Sequence, residues 1–159
     1  DQFDPLLISW GFNAEVPGKS KFLDYHQLQG TRDYSAFLTV PAALKYLKEN
    51  DWRSVSAKCK QDILNNYESL CDVFDTKPIV PVTSEFLGQI CSIPVPINDP
   101  LALKNILYND YKIEVPVFNL REHVFLRLSA QAYVEQEDID YLKASLEEIV
   151  SKGLIKLNP

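Results

Sequence analysis

Four residues have the types and spacing for anion chemistry: Gly30, Thr31, Arg32 and Arg127. In Gln29-Gly30-Thr31-Arg32-Asp33-Tyr34-Ser35-Ala36-Phe37, a glycine that lets the backbone approach a ligand is followed by a hydroxyl and a permanent cation. A helix starting just behind them would turn its unpaired N–H groups toward the same turn, an arrangement that holds phosphate. The same residues would also serve as a plain capped helix start with an Arg32–Asp33 surface pair. Arg127 lies between Leu126 and Leu128 in an alternating stretch, on the face of Ser129. An arginine fixed on a strand can grip a carboxylate through two parallel hydrogen bonds. It could equally pair with a carboxylate on a neighbouring helix.

The elements that must position these residues follow from periodicity. Leu6 to Phe12 is a short apolar stretch that could be a buried strand, and residues 13–25 read as loop around Pro17 and Gly18. From Ser35, the residues Phe37, Leu38, Val40, Leu44 and Leu47 recur at helical steps; Pro41 interrupts them, and one bent helix ending near Asn50 is expected. Asp51 is placed to cap a second helix whose stripe runs Trp52, Val55, Cys59, Ile63, Tyr67, Leu70, Cys71 and Phe74. Phe86 to Ile93 suggests a strand, and Asp99-Pro100 starts a helix that reaches about Asn109. Ile113 to Phe118 suggests a strand with Pro116 at an edge or bulge, followed by a turn over residues 119–123. In the next strand Val124, Leu126, Leu128 and Ala130 face one way, and Phe125, Arg127, Ser129 and Gln131 the other. The last helix runs from about Gln136 to Ser151, with Gly153 as its C-cap and acidic residues in its first turn. The order implies an α+β fold: a small antiparallel or mixed sheet of about three to four strands, covered by helices on one face.

Composition narrows the partners. The chain has 159 residues, a net charge of −6 and scattered Lys and Arg, which argues against nucleic acid or an anionic membrane surface. No run is long and apolar enough for a membrane span. Three cysteines and two histidines suit neither a zinc site nor a disulfide framework, and a reducing cytoplasm is the simplest setting. The sequence lacks the Gly-rich nucleotide loops, HExxH, CxxC and GxSxG motifs, so no self-contained active site is legible. The absence of any Met suggests a piece of a longer polypeptide.

Two clusters together carry a family resemblance. Gln29-Gly30-Thr31-Arg32-Asp33, with Ser35-Ala36-Phe37 and Val40-Pro41-Ala42-Ala43, resembles the QGTRD-x-SA-x-L-x-VPAA signature of isopenicillin N epimerase-like enzymes. These are pyridoxal phosphate (PLP) enzymes of the class V aminotransferase family, fold type I. Phe86-Leu87-Gly88-Gln89, Tyr111 to Val117 and Leu126 to Tyr133 resemble the same family in the same order. The resemblance implies the C-terminal small domain of such an enzyme over residues 29–159, with residues 1–28 a leader continuing from a large PLP-binding domain. It implies that the Schiff-base lysine lies upstream, that this stretch alone has no catalytic residue, and that it is inactive by itself.

By the same likeness, Gly30 and Thr31 would contact the PLP phosphate of the partner subunit in a homodimer. Arg127 would bind the α-carboxylate of an amino acid substrate within its own subunit, and Arg32 would touch substrate or phosphate, or only pair with Asp33. Two departures stand out. Lys112 to Leu126 holds no cysteine, which disfavours a desulfurase using a persulfide cysteine, and Val134 stands where Asn is usual. The alternative to an enzyme piece is a non-enzymatic α/β module for a small anionic ligand or a protein partner.

Overall fold

The computed structural model describes residues 3–27 and 30–158, so Gln29 of the signature lies outside the described residues. The chain divides into two compact units, Asp1–Tyr46 and Leu47–Pro159.

In the first unit the apolar stretch from Leu6 is not a strand. It carries a turn in which the Phe12 N–H donates to the Ser9 carbonyl (2.9 Å), and Leu6, Leu7, Ile8 and Trp10 are exposed. A strand needs a neighbour to satisfy its backbone, and this stretch has none among the described residues. The loop expected through residue 25 gives way to helix α1 (Lys21–Gln27), where the Asp24 N–H donates to the Ser20 carbonyl. The single bent helix expected from Ser35 is two helices, α2 (Ser35–Leu38) and α3 (Val40–Glu49). Thr39 marks the break, its hydroxyl donating to the Ala36 carbonyl at 2.7 Å. Pro41 becomes the second residue of α3, where a missing N–H costs nothing.

The second unit is built on a three-stranded antiparallel sheet in the order β1-β3-β2: β1 is Ile90–Val95, β2 Val117–Leu120 and β3 His123–Ser129. Its inner face, with Cys91, Ile93, Val95, Leu126 and Leu128, joins one core with α4 (Trp52–Asp72), α5 (Pro100–Asn109) and α6 (Gln136–Ser151). Helix α4 packs on β1 and meets α6, while α5 packs on β2. The expected fold class is therefore the observed one.

Local chemistry explains most boundaries. Asp99 caps α5 by accepting from the Leu101 and Ala102 N–H groups, with Pro100 at the first helical position. Glu135 and Asp138 form a capping box at the start of α6, and Gly153 (φ +65°) ends it in the left-handed region. Asp51 does not cap α4 with its carboxylate. Its backbone is left-handed (φ 44°), which directs the side chain away, and only its carbonyl joins the first turn. The strand expected at Phe86–Ile93 lies four residues later at its start, because Phe86 and Leu87 fold back onto the Thr83 carbonyl. Pro94 is tolerated inside β1 because β1 is an edge strand.

Tyr67 ties α4 to the sheet. Its hydroxyl donates to the Ser92 carbonyl (2.7 Å) and accepts from the Ile79 N–H (3.1 Å), while its ring is fully buried. Tyr67→Phe leaves both backbone groups short of a partner and should cost about 1–3 kcal/mol. Urea unfolding of the variant checks this, with an unchanged midpoint as the contrary result.

Candidate anion sites

Around Gly30 the backbone has φ +101°, a conformation strained for any residue with a Cβ. An added Cβ would lie 3.6 Å from Ser9 Oγ and 3.7 Å from Trp10 Cδ1. Thr31 is exposed, with no hydrogen bond among the described residues. Arg32 does not pair with Asp33. Its guanidinium lies over the rings of Tyr34 (5.2 Å) and Phe37 (5.0 Å), which holds a cation beside Thr31 in sequence. Asp33 turns the other way. One carboxylate oxygen accepts from the Ser35 N–H (2.8 Å) and the other from the Ser35 hydroxyl (2.9 Å), and these bonds lower its pKa. The start of α2 is thus occupied by a carboxylate, and α2 is a single turn. Any phosphate here would rely on the Gly30 backbone, the Thr31 hydroxyl and the Arg32 guanidinium, not on a helix dipole.

Arg127 sits on the central strand. Its N–H donates to the Pro116 carbonyl (2.9 Å), but Pro116 has no N–H to return the bond. The next rung, Ser129 opposite Glu114, is not made among the described hydrogen bonds. That is why β2 begins at Val117 and not at Ile113 as the apolar run suggested. The segment before it peels away from β3, and a cleft of about 690 Å³ opens there. Arg127 and Ser129 line it with Tyr111, Val115, Tyr133 and the start of α6. The guanidinium is exposed and makes no ion pair among the described residues. Asp138, the carboxylate at the cleft nearest in sequence, is engaged by the Glu135 N–H (2.9 Å). The structure thus brings Arg127 into a cleft built from Tyr111 and Tyr133, which periodicity did not single out as site residues. Pro116 in an otherwise strand-like run was their one sequence signal.

The lysines and cysteines are quiet. Lys21 lies over the Tyr25 ring at 5.0 Å. All three thiols are free and buried. Burial pushes Cys71 up to about 11 and Cys91 up to about 12, so neither supplies thiolate at neutral pH. A thiol reagent at about pH 8 should label none of the three in the folded chain and all after denaturation. Rapid labelling of Cys91 in the native state would contradict its placement. Among the described residues no group of three His, Cys, Asp or Glu could hold a metal, and no helix is long and apolar enough to cross a membrane.

A three-stranded antiparallel sheet backed by helices, with an exposed arginine lining an open cleft, defines an α+β domain. Known proteins agree on the kind. The chain is 24% identical to isopenicillin N epimerase of Amycolatopsis lactamdurans over 155 residues, covering 91% of the chain and 39% of that enzyme. It is 27% identical to an L-cysteine desulfhydrase of Arabidopsis thaliana over 166 residues, covering 91% of the chain and 35% of that enzyme. These relatives bear out the resemblance to isopenicillin N epimerase-like enzymes of the PLP-dependent class V family. The chain spans 35–41% of the length of the curated relatives it matches. A scan against protein-family profiles finds no match. Among solved structures, 8-amino-7-oxononanoate synthase of Francisella tularensis shares the fold, with a TM-score of 0.55 and 24% identity over 83% of this chain and 37% of that one.

Proposed function

We propose that this chain is the small domain of a PLP-dependent enzyme acting on an amino acid, in which Arg127 grips the substrate carboxylate. The observation that carries the reading is Arg127 itself. It is fixed on the central strand of the sheet, its cation is free of carboxylate partners among the described residues, and a cleft stands open beside it. The relatives' likeness over nine-tenths of the chain supports the choice of cofactor.

The residues around Gly30 fit a phosphate group. An N–H on a glycine backbone at φ +101°, an unengaged hydroxyl and an aromatic-held guanidinium, successive in the chain, are the donor types a dianion takes. On this reading Gly30 and Thr31 contact the PLP phosphate bound in the partner subunit of a homodimer, and Arg32 adds charge at the rim. Bound PLP supplies the electron withdrawal that labilises bonds at the substrate α-carbon, and the protein supplies orientation. Arg127 would fix the carboxylate and so orient the substrate α-carbon for that chemistry.

The cofactor lysine would come from a part of the enzyme upstream of this stretch, so the stretch alone turns over no amino acid. Exposed Phe37, Leu38, Val40 and Leu44 support an assembled enzyme, since adjoining apolar side chains of this kind mark interfaces. Three unpaired thiols support a reducing, cytoplasmic setting.

The test is Thr31→Ala in the enzyme that carries the cofactor lysine. It should weaken PLP retention several-fold, by loss of one hydrogen bond to a charged group. Equilibrium dialysis with absorbance of the released cofactor reads it, and equal retention removes Thr31 from the site.

A further inference from the structure

The cleft beside Arg127 is much larger than a carboxylate, and its floor is apolar. We infer that the acid it takes carries a bulky apolar body and a single carboxylate; the inference rests on the reading of Arg127 as the carboxylate grip. At about 690 Å³ the cleft has the size of a site for a whole small molecule. Leu128, Ile139 and Leu142, all buried in the core, form the floor, and the half-buried Val115 stands on the wall.

Tyr111 is held in place as part of the wall. Its carbonyl accepts from the Tyr141 hydroxyl (3.1 Å), and its phenol, raised in pKa by burial and then by the Glu148 charge, faces Glu148. A fixed aromatic wall over an aliphatic floor favours an alkyl or aryl group over a solvated one.

The charges in the cleft set the second half of the preference. Besides Arg127, the charged residues lining it are Lys112, Glu114 and Asp138. The Lys112 ammonium donates to the Asn109 carbonyl, and Asp138 is tied into the cap of α6. A second acid group on the ligand would therefore find Lys112 only where it is held at the Asn109 carbonyl, and would lie near two carboxylates.

The experiment is a heteronuclear NMR titration of the 159-residue chain with acetate, hexanoate and adipate. Hexanoate should bind about tenfold more tightly than acetate, with shifts gathered over residues 111–116 and 133–142, and adipate no more tightly than acetate. Arg127→Gln should abolish binding of all three. Tyr133→Ser, at a position too exposed to threaten folding, should reduce the ratio of hexanoate to acetate affinity.

Equal affinity for acetate and hexanoate, both lost in Arg127→Gln, would overturn the apolar preference and leave the arginine grip standing. Adipate binding as tightly as hexanoate would overturn the single-carboxylate preference alone. Hexanoate binding that survives Arg127→Gln, or no shifts with any acid, would overturn the grip and the preference together.

Discussion

Replacing Arg127 with alanine in the complete enzyme is expected to raise KM for the amino acid and lower kcat/KM by between about thirtyfold and a few thousandfold, the range a desolvated charged pair is worth. β3 is the central strand, so its backbone is held on both sides, and the Arg127 N–H is fixed to the Pro116 carbonyl. The side chain opposite Arg127 in the register is Ser92, which offers no charge to neutralise the guanidinium. With the guanidinium gone, no other arginine lines the cleft to replace its two-pronged grip. Lys112 is turned to the Asn109 carbonyl, and Glu114 and Asp138 repel the incoming acid. Arg127→Lys keeps the charge but loses the two-pronged geometry, and should fall between wild type and alanine. Steady-state kinetics separate the cases, and unchanged kcat/KM in Arg127→Ala would remove the residue from the site.

The second large effect is on stability. Leu126→Ala should destabilise the chain by about 2–5 kcal/mol, read as a lowered urea midpoint with the slope unchanged. Leu126 is fully buried, stands between Ile93 of β1 and Val117 of β2, and faces the core shared with α4, α5 and α6. Close packing on that side leaves the neighbours little room to collapse into the space. A loss below about 1 kcal/mol would mean that the sheet does not organise the unit. The two predictions are linked, because the alternation that buries Leu126 is what turns Arg127 outward.

That alternation was legible in the sequence, and so was much of the second unit. Val124, Leu126, Leu128 and Ala130 are buried, while Arg127 and Ser129 are exposed. The stripe of Cys59, Ile63, Tyr67, Leu70 and Cys71 is the buried face of α4, and Asp99-Pro100 and Gly153 bound their helices as turn and cap chemistry requires. What escaped the sequence depends on partners or on backbone conformation. Leu6 to Phe12 has the composition of a strand but nothing to pair with among the described residues. Asp51 is a good cap residue in the wrong backbone region, and φ is not written in residue type. Pro116 was read as an edge or bulge. Its fuller consequence is a shortened β2 and an open cleft, which appears only once its partner Arg127 is known.

For the candidate site, residue chemistry alone gave Arg127 its role as a possible grip and left Gly30, Thr31 and Arg32 between a phosphate turn and a plain cap. The structure separates Arg32 from Asp33, stacking the first on two rings and giving the second to Ser35. Tyr111 and Tyr133 enter the cleft through the fold, so no local pattern could have marked them.

The central claim is that Arg127 serves its own subunit while Gly30 and Thr31 serve the partner's cofactor. The most direct measurement mixes two impaired enzymes, one carrying Thr31→Ala and the other Arg127→Ala, lets the subunits exchange, and assays them at limiting PLP and amino acid. In a hybrid dimer one site has both its own Arg127 and the partner's Thr31, and the other site has neither. Activity should therefore rise above that of the unexchanged mixture, by up to roughly a quarter of wild type, when subunits pair at random. A mixture that stays at the level of the two parents would contradict the account.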